Sequence, residues 1–422
     1  MKHLRPNRRR FLQGSGALAT AAAGSAIFGP AVWAAETIKI GFVTPQSGAL
    51  SVFAEPDQFA LDQVMRATGG QLDIDGRSYA IEFIVKDSQS NSGRAAEVAN
   101  ELINEDQVNL LLATATPETT NPAASAAELA EVPCLTNDTP WQPHFFGRGG
   151  DPAKGFDWTY HFFWGLEDLI AVSHGIWNLK PTNKVVGALW PNDADGNAFG
   201  DAKLGFPGAP NFTYIDTGRF DLDAESFSSQ ISAFKAAGAE IVTGVLPPPV
   251  FANFWSQAAQ QDFRPKIVTM PKALEFPQAV AALGDRGEGL TVEVWWSPFH
   301  PFSSGLTQQS SKELADEYEE VTGRPWTMPL AFKHSLFEVA INALRNSSNP
   351  LDAASVRDAL KATDYNSIVG NINFSNGPVP NIAKTPLVGG QWFKGTKGPE
   401  LGIVENAGLK ECPINRELTL LA

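Results

Sequence analysis

Short runs rich in β-branched residues alternate with helical segments along most of the chain, and this alternation limits the folds open to it. In the first half, strands are predicted at 37–44, 79–87, 108–113 and 132–136. The segments between them, at 56–67, 91–105 and 123–130, place apolar residues at helical spacing. Strands that alternate with helices in this way predict a parallel sheet with helices on both faces.

The same alternation restarts in the second half of the chain. Strands are predicted at 184–190, 240–246, 266–270 and 289–296, with helices at 166–178, 226–237, 251–261 and 278–283. Helices at 311–321, 331–346 and 353–362 follow, and then a pair of strands near 370–374 and 386–393. The sequence therefore predicts an α/β fold of two doubly wound parallel-sheet lobes with a mixed C-terminal tail.

The first 34 residues have a composition of their own. They contain no acidic residue, an apolar stretch rich in Ala and Gly, a small residue at Ala34, and five basic residues: Lys2, Arg5, Arg8, Arg9 and Arg10. This order predicts an export signal that is cleaved after Ala34, and the run 8–12 resembles the twin-arginine pattern. The alternative is an anchor that is never cleaved, but the core is short and weakly apolar, so we expect no stable membrane insertion.

Charge and cysteine content exclude several classes of protein. Removing the five positive charges of the signal changes the formal net charge from −14 to −19. So acidic a chain is not expected to bind nucleic acid, because it has no excess of cations to replace counterions. Cys134 and Cys412 cannot form a disulfide framework or a Cys-rich zinc site. They could pair in an oxidising compartment, although a buried free thiol is the preferred interpretation of Cys134.

Signatures of catalysis are missing from the sequence. It has no Gly-x-Ser-x-Gly, no phosphate-binding loop and no His-Glu-x-x-His. The run 193–197 (DADGN) resembles the opening of a calcium loop, but the later glutamate is missing, so we interpret it as a turn. We therefore expect a protein that is not an enzyme and needs neither a cofactor nor a metal ion.

Several motifs in a fixed order resemble one family. They are IKIGFVTPQSG at 38–48, Gly76-Arg77 in a predicted hairpin, Asp87 followed by a polar loop, AFGDA at 198–202, the helix 331–344 and VGNINF at 369–374. Together they resemble the leucine/isoleucine/valine-binding family, the type I periplasmic solute-binding proteins of ATP-driven importers. The resemblance spans essentially the whole mature chain. It implies a small-molecule ligand bound between two lobes and a membrane permease of an ABC importer as partner.

The resemblance also implies that the chain crosses between the lobes three times. We place the crossings near 157–163, 296–300 and 345–350. The first lobe would then consist of 35–158 and 298–346, and the second lobe of 159–297 and 347–422 with the tail. Because ligands of open α/β sheets bind beyond the carboxyl ends of the strands, residues that follow the strands are the candidates for binding.

In the first lobe these strand ends are rich in hydroxyl and acidic groups. The candidates are Ser47, Thr114, Thr116, Glu118, Asp138, Thr139 and Trp141. Hydroxyls and the N–H groups at helix starts suit a carboxylate, and the resemblance implies that Thr116 and Thr139 would hold it. The alternative is that these hydroxyls only cap the helices that follow, since both roles use the same geometry.

In the second lobe the candidates are Asp193, Phe199, Pro248 and Lys272. Two of them depart from the family, which commonly has Tyr where this chain has Phe199 and an acid for the ligand's ammonium where it has Lys272. If Lys272 faces the cleft, the acid must come from elsewhere, and Glu118, Asp138 or Asp193 could supply it. The alternative is that Lys272 is an ordinary surface charge.

Tryptophans near the strand ends predict an aromatic wall. They are Trp141, Trp190, Trp295 and Trp296, with Trp141 and Trp296 taken as the ligand contacts. Packing in the core is the alternative for each of them.

These features predict a periplasmic solute-binding protein of an ABC-type importer. Two ligand classes remain open: an apolar or branched-chain amino acid, and an aromatic or aliphatic carboxylate without an ammonium. A second class of function is a receptor subunit that signals rather than transports. A hydrolase would require a Ser–His–Asp contact in the cleft.

Overall fold

The computed structural model describes residues 36–421, so the predicted export signal lies outside the described residues. The first segment consists of β1 (Glu36–Thr44), α1 (Asp57–Thr68), β2 (Gln71–Ile74), β3 (Arg77–Asp87), α2 (Ser92–Asn104), β4 (Leu110–Ala113), α3 (Thr116–Leu129), β5 (Cys134–Thr136), α4 (Trp141–Phe145) and β6 (Thr159–Phe162). Its strands join into one sheet in the order β6-β5-β4-β1-β3-β2. All neighbours are parallel except the hairpin of β2 and β3.

The second segment repeats the pattern. It consists of α5 (Leu166–Asn178), β7 (Val185–Leu189), α6 (Ala194–Phe199), β8 (Thr213–Asp216), α7 (Ser228–Ala236), β9 (Ile241–Gly244), α8 (Pro248–Gln260), β10 (Ile267–Thr269), α9 (Pro277–Ala282) and β11 (Thr291–Val294). These strands form a second parallel sheet in the order β11-β10-β9-β7-β8.

The last segment contributes to both sheets. It consists of α10 (Ser311–Thr322), α11 (Pro329–Asn346), α12 (Ala353–Lys361), β12 (Asp364–Ser367), β13 (Gly370–Asn373), β14 (Ile382–Ala383), β15 (Val388–Lys394) and β16 (Pro399–Glu405). Strand β14 extends the first sheet beside β6, whereas β15 and β16 extend the second sheet antiparallel beyond β11. The predicted fold class, two doubly wound α/β lobes, is confirmed.

Local sequence accounts for the layers of the first lobe. In β1 the apolar side chains of Ile38, Ile40 and Phe42 are fully buried. Gly41 lies between them, and a Cβ there would come within 3.1–3.2 Å of side-chain carbons of α2, β4 and the turn between them. The glycine therefore lets α2 approach the sheet closely. Helix α2 starts where the Asn91 side chain accepts a hydrogen bond from the N–H of Arg94.

Two of the predicted lobe boundaries differ from the strand pairing. Residues 159–162, predicted in the second lobe, form β6, which pairs with β5 in the first sheet. Residues 347–386, also predicted there, contain α12, which packs on α11, and β14, which pairs with β6. The third crossing therefore lies between β14 and β15, near 384–387, and not at 345–350. The amphipathic face of α12 finds its apolar partner on the neighbouring helix α11, which keeps this segment in the first lobe.

Both cysteines are buried and free. Cys134 lies in β5 of the first sheet, and burial raises its pKa to about 12. Cys412 lies in the C-terminal tail, with its Sγ 3.9 Å from Nδ1 of His300. The interpretation of Cys134 as a buried thiol is confirmed. None of the helices between residues 36 and 421 combines the length and apolar character that crossing a membrane requires.

Candidate ligand-binding site

A cavity lies between the lobes where the carboxyl ends of the two sheets face each other. The first lobe contributes Thr116 and Asp138, which follow β4 and β5. The second lobe contributes Asp195, Lys272 and Glu293, from α6, the loop after β10 and the end of β11. Its volume is about 30 Å³, about the space of one water molecule, so the lobes stand close together in this conformation.

The predicted residues fall into three groups. Four line the cavity: Thr116, Asp138, Phe199 and Lys272. Three lie directly behind its wall, where Thr114 contacts Asp138, and Glu118 and Asp193 lie near Lys272. Five lie outside it: Ser47, Thr139, Trp141, Pro248 and Trp296. The strand-end rule therefore leads to seven residues at or directly behind this cavity, and their role in binding a ligand stays a prediction.

The five residues outside the cavity have other partners. Ser47 Oγ donates to Asp87 Oδ2 at 2.6 Å in an exposed loop, and Thr139 Oγ1 lies 3.1 Å from Oγ1 of Thr120. Trp141 Nε1 donates to Glu167 at 3.2 Å, and Trp296 Nε1 donates to Ser311 Oγ at 3.0 Å. Pro248 is the first residue of α8. These contacts are structural, and they give these side chains no place in the cavity wall.

Lys272 is buried at the cavity and not on the surface, so the surface alternative was wrong. Its Nζ lies 2.9 Å from Asp195 Oδ2, 3.8 Å from Glu118 Oε2 and 3.9 Å from Asp193 Oδ2. Burial disfavours the charge, but the three carboxylates outweigh it and raise the pKa of Lys272. The ammonium therefore already has its counter-charges within the protein, and it joins Glu118 of the first lobe to the second lobe.

The carboxylates around Lys272 differ in their protonation. Burial raises the pKa of Asp195 to about 7, although Lys272 opposes the shift. Burial also raises the pKa of Asp193, whose Oδ1 caps α6 by accepting from the N–H of Gly196 at 2.7 Å. Glu118 lies in the first turn of α3; burial opposes its charge, but Lys272 and Thr116 more than compensate and lower its pKa. Acidic side chains of the protein thus stand at both helix starts that face the cleft.

Two buried glutamates complete this acidic wall, and the sequence interpretation missed them. Glu275 and Glu293 are 5% and 1% exposed. Burial raises the pKa of Glu275 to about 7. Burial, together with repulsion from Glu275, raises the pKa of Glu293 well above its usual range. A signal was present, because Glu293 is a lone charge within the apolar run TVEVWW of a buried strand.

A second buried cation supports the first-lobe wall from behind. Lys333 of α11 is fully buried, and its Nζ contacts Asp138 Oδ2 and lies 2.7 Å from Thr114 Oγ1. Nearby Asp57 accepts from Thr44 Oγ1 at 2.7 Å, and burial raises the pKa of Asp57 to about 7. This network holds the loop after β5, where Asp138 has a positive φ of 58°. Lys333 was also missed, although it interrupts an otherwise apolar helix.

Aromatic rings form the rest of the wall. Phe53, Phe163, Trp164, Phe199 and Trp295 line the cavity. The rings of Phe163 and Trp295 meet edge to face with centroids 5.1 Å apart. Of the four tryptophans predicted to form a wall, Trp295 lines the cavity. Trp296 points the other way because successive side chains of an extended chain alternate in direction.

The arrangement defines a class of protein: two α/β lobes joined by three crossings, with a polar, aromatic-walled cavity at their shared cleft. A sequence model of the family described as periplasmic binding protein matches residues 37–395. The chain belongs to this family, and the predicted resemblance is confirmed.

Solved structures share the fold. The branched-chain amino acid transporter substrate-binding protein LivJ from Streptococcus pneumoniae, in complex with isoleucine, is 18% identical with a TM-score of 0.70, covering 88% of this chain and 100% of its own. A solute-binding protein of an ABC transporter from Rhodopseudomonas palustris BisB5, in complex with 3,4-dihydroxybenzoic acid, is 20% identical with a TM-score of 0.70, covering 90% and 98%. The leucine-binding protein LivK from Thermotoga maritima is 16% identical with a TM-score of 0.69, covering 87% and 99%.

Proposed function

We propose that this chain is the extracytoplasmic solute-binding protein of an ABC importer, exported to the periplasm and recognised there by a membrane permease. The observation that carries the proposal is the interlobe cavity, whose wall combines strand ends of both sheets. A ligand held by both lobes stabilises their closed arrangement, which is the state a permease can distinguish from the open one. Family membership and the ABC-transporter descriptions of the structural neighbours support this assignment.

The lining of the cavity favours one of the two predicted ligand classes. A carboxylate without an ammonium would meet Asp138, Asp195, Glu275 and Glu293, while Lys272 is already paired. An apolar amino acid would bring an ammonium to these acids. Of the two predicted classes, we therefore favour the one that brings an ammonium group over aromatic or aliphatic carboxylates for this chain.

Binding without catalysis is part of the proposal. Two Ser–His contacts occur among the described residues of the last segment: Ser297 Oγ lies 2.9 Å from His300 Nδ1, and Ser304 Oγ lies 2.9 Å from His334 Nε2. Both pairs are buried and lie outside the cavity wall. Within residues 36–421, no three His, Cys, Asp or Glu side chains are grouped so as to hold a metal ion.

Two measurements test the proposal together: uptake of the solute by cells, and closure of the two lobes when the solute binds. Deleting the gene should abolish uptake of the solute that mass spectrometry identifies in the purified protein, and the wild-type gene should restore it. Adding that solute to refolded protein should reduce the radius of gyration in X-ray scattering. Unchanged uptake with loss of a transcriptional or motile response would refute the importer role in favour of the signalling receptor.

Adjacent tryptophans provide a matched pair of variants. Trp295→Leu removes a ring from the cavity wall and should weaken binding of that solute by about tenfold or more, since pocket aromatics carry much of the contact area. Trp296→Leu removes a ring of equal size that lies outside the wall and should leave the affinity within about twofold. Titration calorimetry measures both. Equal losses in the two variants would contradict the placement of the ligand in this cavity.

A further inference from the structure

The cavity has more acidic than basic groups. Four carboxyl groups line it, and Glu118 and Asp193 stand behind Lys272. Against these six acids the region contains two lysines, and each is already in contact with a carboxylate: Lys272 with Asp195, and Lys333 with Asp138. A further positive charge is therefore the group that would let the remaining acids of this region ionise.

Several of the carboxyl oxygens have no donor. Within the part of the chain that the structure describes, Oδ1 of Asp138 and Oδ1 of Asp195 have no hydrogen-bond partner, and Oε2 of Glu275 and both carboxyl oxygens of Glu293 have none beyond the hydrogen bond that the two glutamates make with each other. All four side chains are at least nine-tenths buried. Buried acceptors without partners are rare in folded proteins because leaving them unpaired is costly. Their number indicates a ligand that brings several N–H donors.

The aromatic part of the wall suits the same ligand. Indole and benzene rings attract cations through the negative potential of their faces, and Trp164 and Trp295 supply the stronger rings. Their indole Nε1–H groups also have no acceptor among residues 36–421. A neutral acceptor such as a hydroxyl group would pair with them without adding charge.

On the basis of the function proposed above, we propose that the ligand is a small organic cation. It carries an ammonium group with N–H donors, which meets Glu275, Glu293, Asp138 and Asp195, and the rest of the molecule is neutral and apolar or bears a hydroxyl group. The site would then require the ammonium of an amino acid but not its carboxylate. A quaternary ammonium fits less well, because it has no N–H to donate to these carboxyl oxygens.

Proton release follows from this placement. The charged groups that face Glu275 are Glu293, Lys272 and, across the cleft, Asp138. Lys272 in turn forms ion pairs with Glu118, Asp193 and Asp195. Burial makes the glutamate pair retain protons, with the pKa of Glu275 at about 7. A bound ammonium favours the ionised pair, so binding should expel protons and tighten as the pH rises from about 5.5 to about 8.

Four probes that share the isobutyl group of leucine test the inference. They are leucine, leucinol, 3-methylbutylamine and 4-methylpentanoate, each added to the refolded chain in a thermal-shift assay. We expect leucinol and 3-methylbutylamine to raise the melting temperature by a few degrees at saturation, with no effect of 4-methylpentanoate. Stabilisation by leucine or 4-methylpentanoate while both amines have no effect overturns the inference and leaves the proposed function standing.

Two variants test whether binding depends on the buried pair Glu275 and Glu293. Glu293→Gln should weaken binding of 3-methylbutylamine by at least about tenfold and flatten its pH dependence. Glu288→Gln, an exposed glutamate outside the cavity, should leave both unchanged. Binding unaffected by Glu293→Gln, or the absence of stabilisation by every probe, overturns the inference. Loss of the importer role in the uptake experiment would instead refute the proposed function.

Discussion

Replacing Glu275 by glutamine should stabilise the protein at high pH. In the folded chain, burial raises the pKa of Glu275 from its ordinary value of 4.5 to about 7, and a hydrogen bond with Glu293 opposes the shift only in part. The folded state therefore keeps a proton that the unfolded chain releases. Stability linked to this group is fully present below about pH 4.5 and is lost as the pH rises through about 7.

The magnitude follows from the size of the shift. About 2.5 pH units at about 1.36 kcal/mol each give about 3 kcal/mol at pH 8. A folded chain of about 390 residues has an unfolding entropy of about 0.8 kcal/mol/K, so the midpoint should rise by about 4 °C. The Glu275→Gln variant keeps the shape of the side chain and the oxygen that accepts from the N–H of Lys272 at 2.9 Å.

Calorimetry of wild type and Glu275→Gln between pH 5 and pH 8, without ligand, measures the effect. The two melting temperatures should converge at pH 5 and separate at pH 8, with the variant higher. Glu288→Gln, which changes an exposed glutamate, should follow the wild type throughout. A difference that does not depend on pH, or a variant that is less stable at pH 8, would refute the assignment of a buried proton to this site.

Two further predictions concern the groups around the cavity. Lys333→Met should destabilise the protein by about 3–5 kcal/mol, because Asp138 is left as an uncompensated buried charge. In urea unfolding, the double variant Lys333→Met with Asp138→Asn should recover more than half of this loss. Equal stability of the single and double variants would refute the pairing. Phe53→Ala removes a ring that meets Phe276 of the other lobe at 4.9 Å, so the variant saturated with solute should close less fully and show a larger radius of gyration in X-ray scattering than the wild type. Phe59→Ala, which removes a ring packed on Tyr318 within the first lobe, is the control, and an equal change in both variants would show that Phe53 does not hold the lobes together.

The fold was readable from the sequence because its signals are local. β-Branched strands and amphipathic helices alternate with little ambiguity, and parallel strands fix which ends meet at the cleft. The third crossing was misplaced because its position depends on tertiary packing. The apolar face of α12 could have packed on either lobe, and its contact with α11 is what assigns it to the first lobe. The two-residue strand β14 is too short to have a sequence signal of its own.

The candidate site was predictable only in part. Thr116, Asp138 and Lys272 lie at strand ends, where the topology of the sheets alone selects them. Glu293 and Lys333 lie inside a buried strand and a buried helix, positions that a search of loops passes over. Charges inside apolar elements are nevertheless informative, because burying one without a partner is too costly to persist.

Lys272 shows that a charge predicted at a binding site must be interpreted together with its partners. From the sequence, a lysine where the family has an acid left open a ligand without an ammonium. In the structure this lysine is already surrounded by Asp195, Glu118 and Asp193, and the wall beyond it carries Glu275 and Glu293. A charged side chain at a binding site can attract a ligand only if it is not already paired with a side chain of the protein. The unpaired groups at this cavity are carboxyl groups, so the departure from the family pattern favours a positively charged ligand.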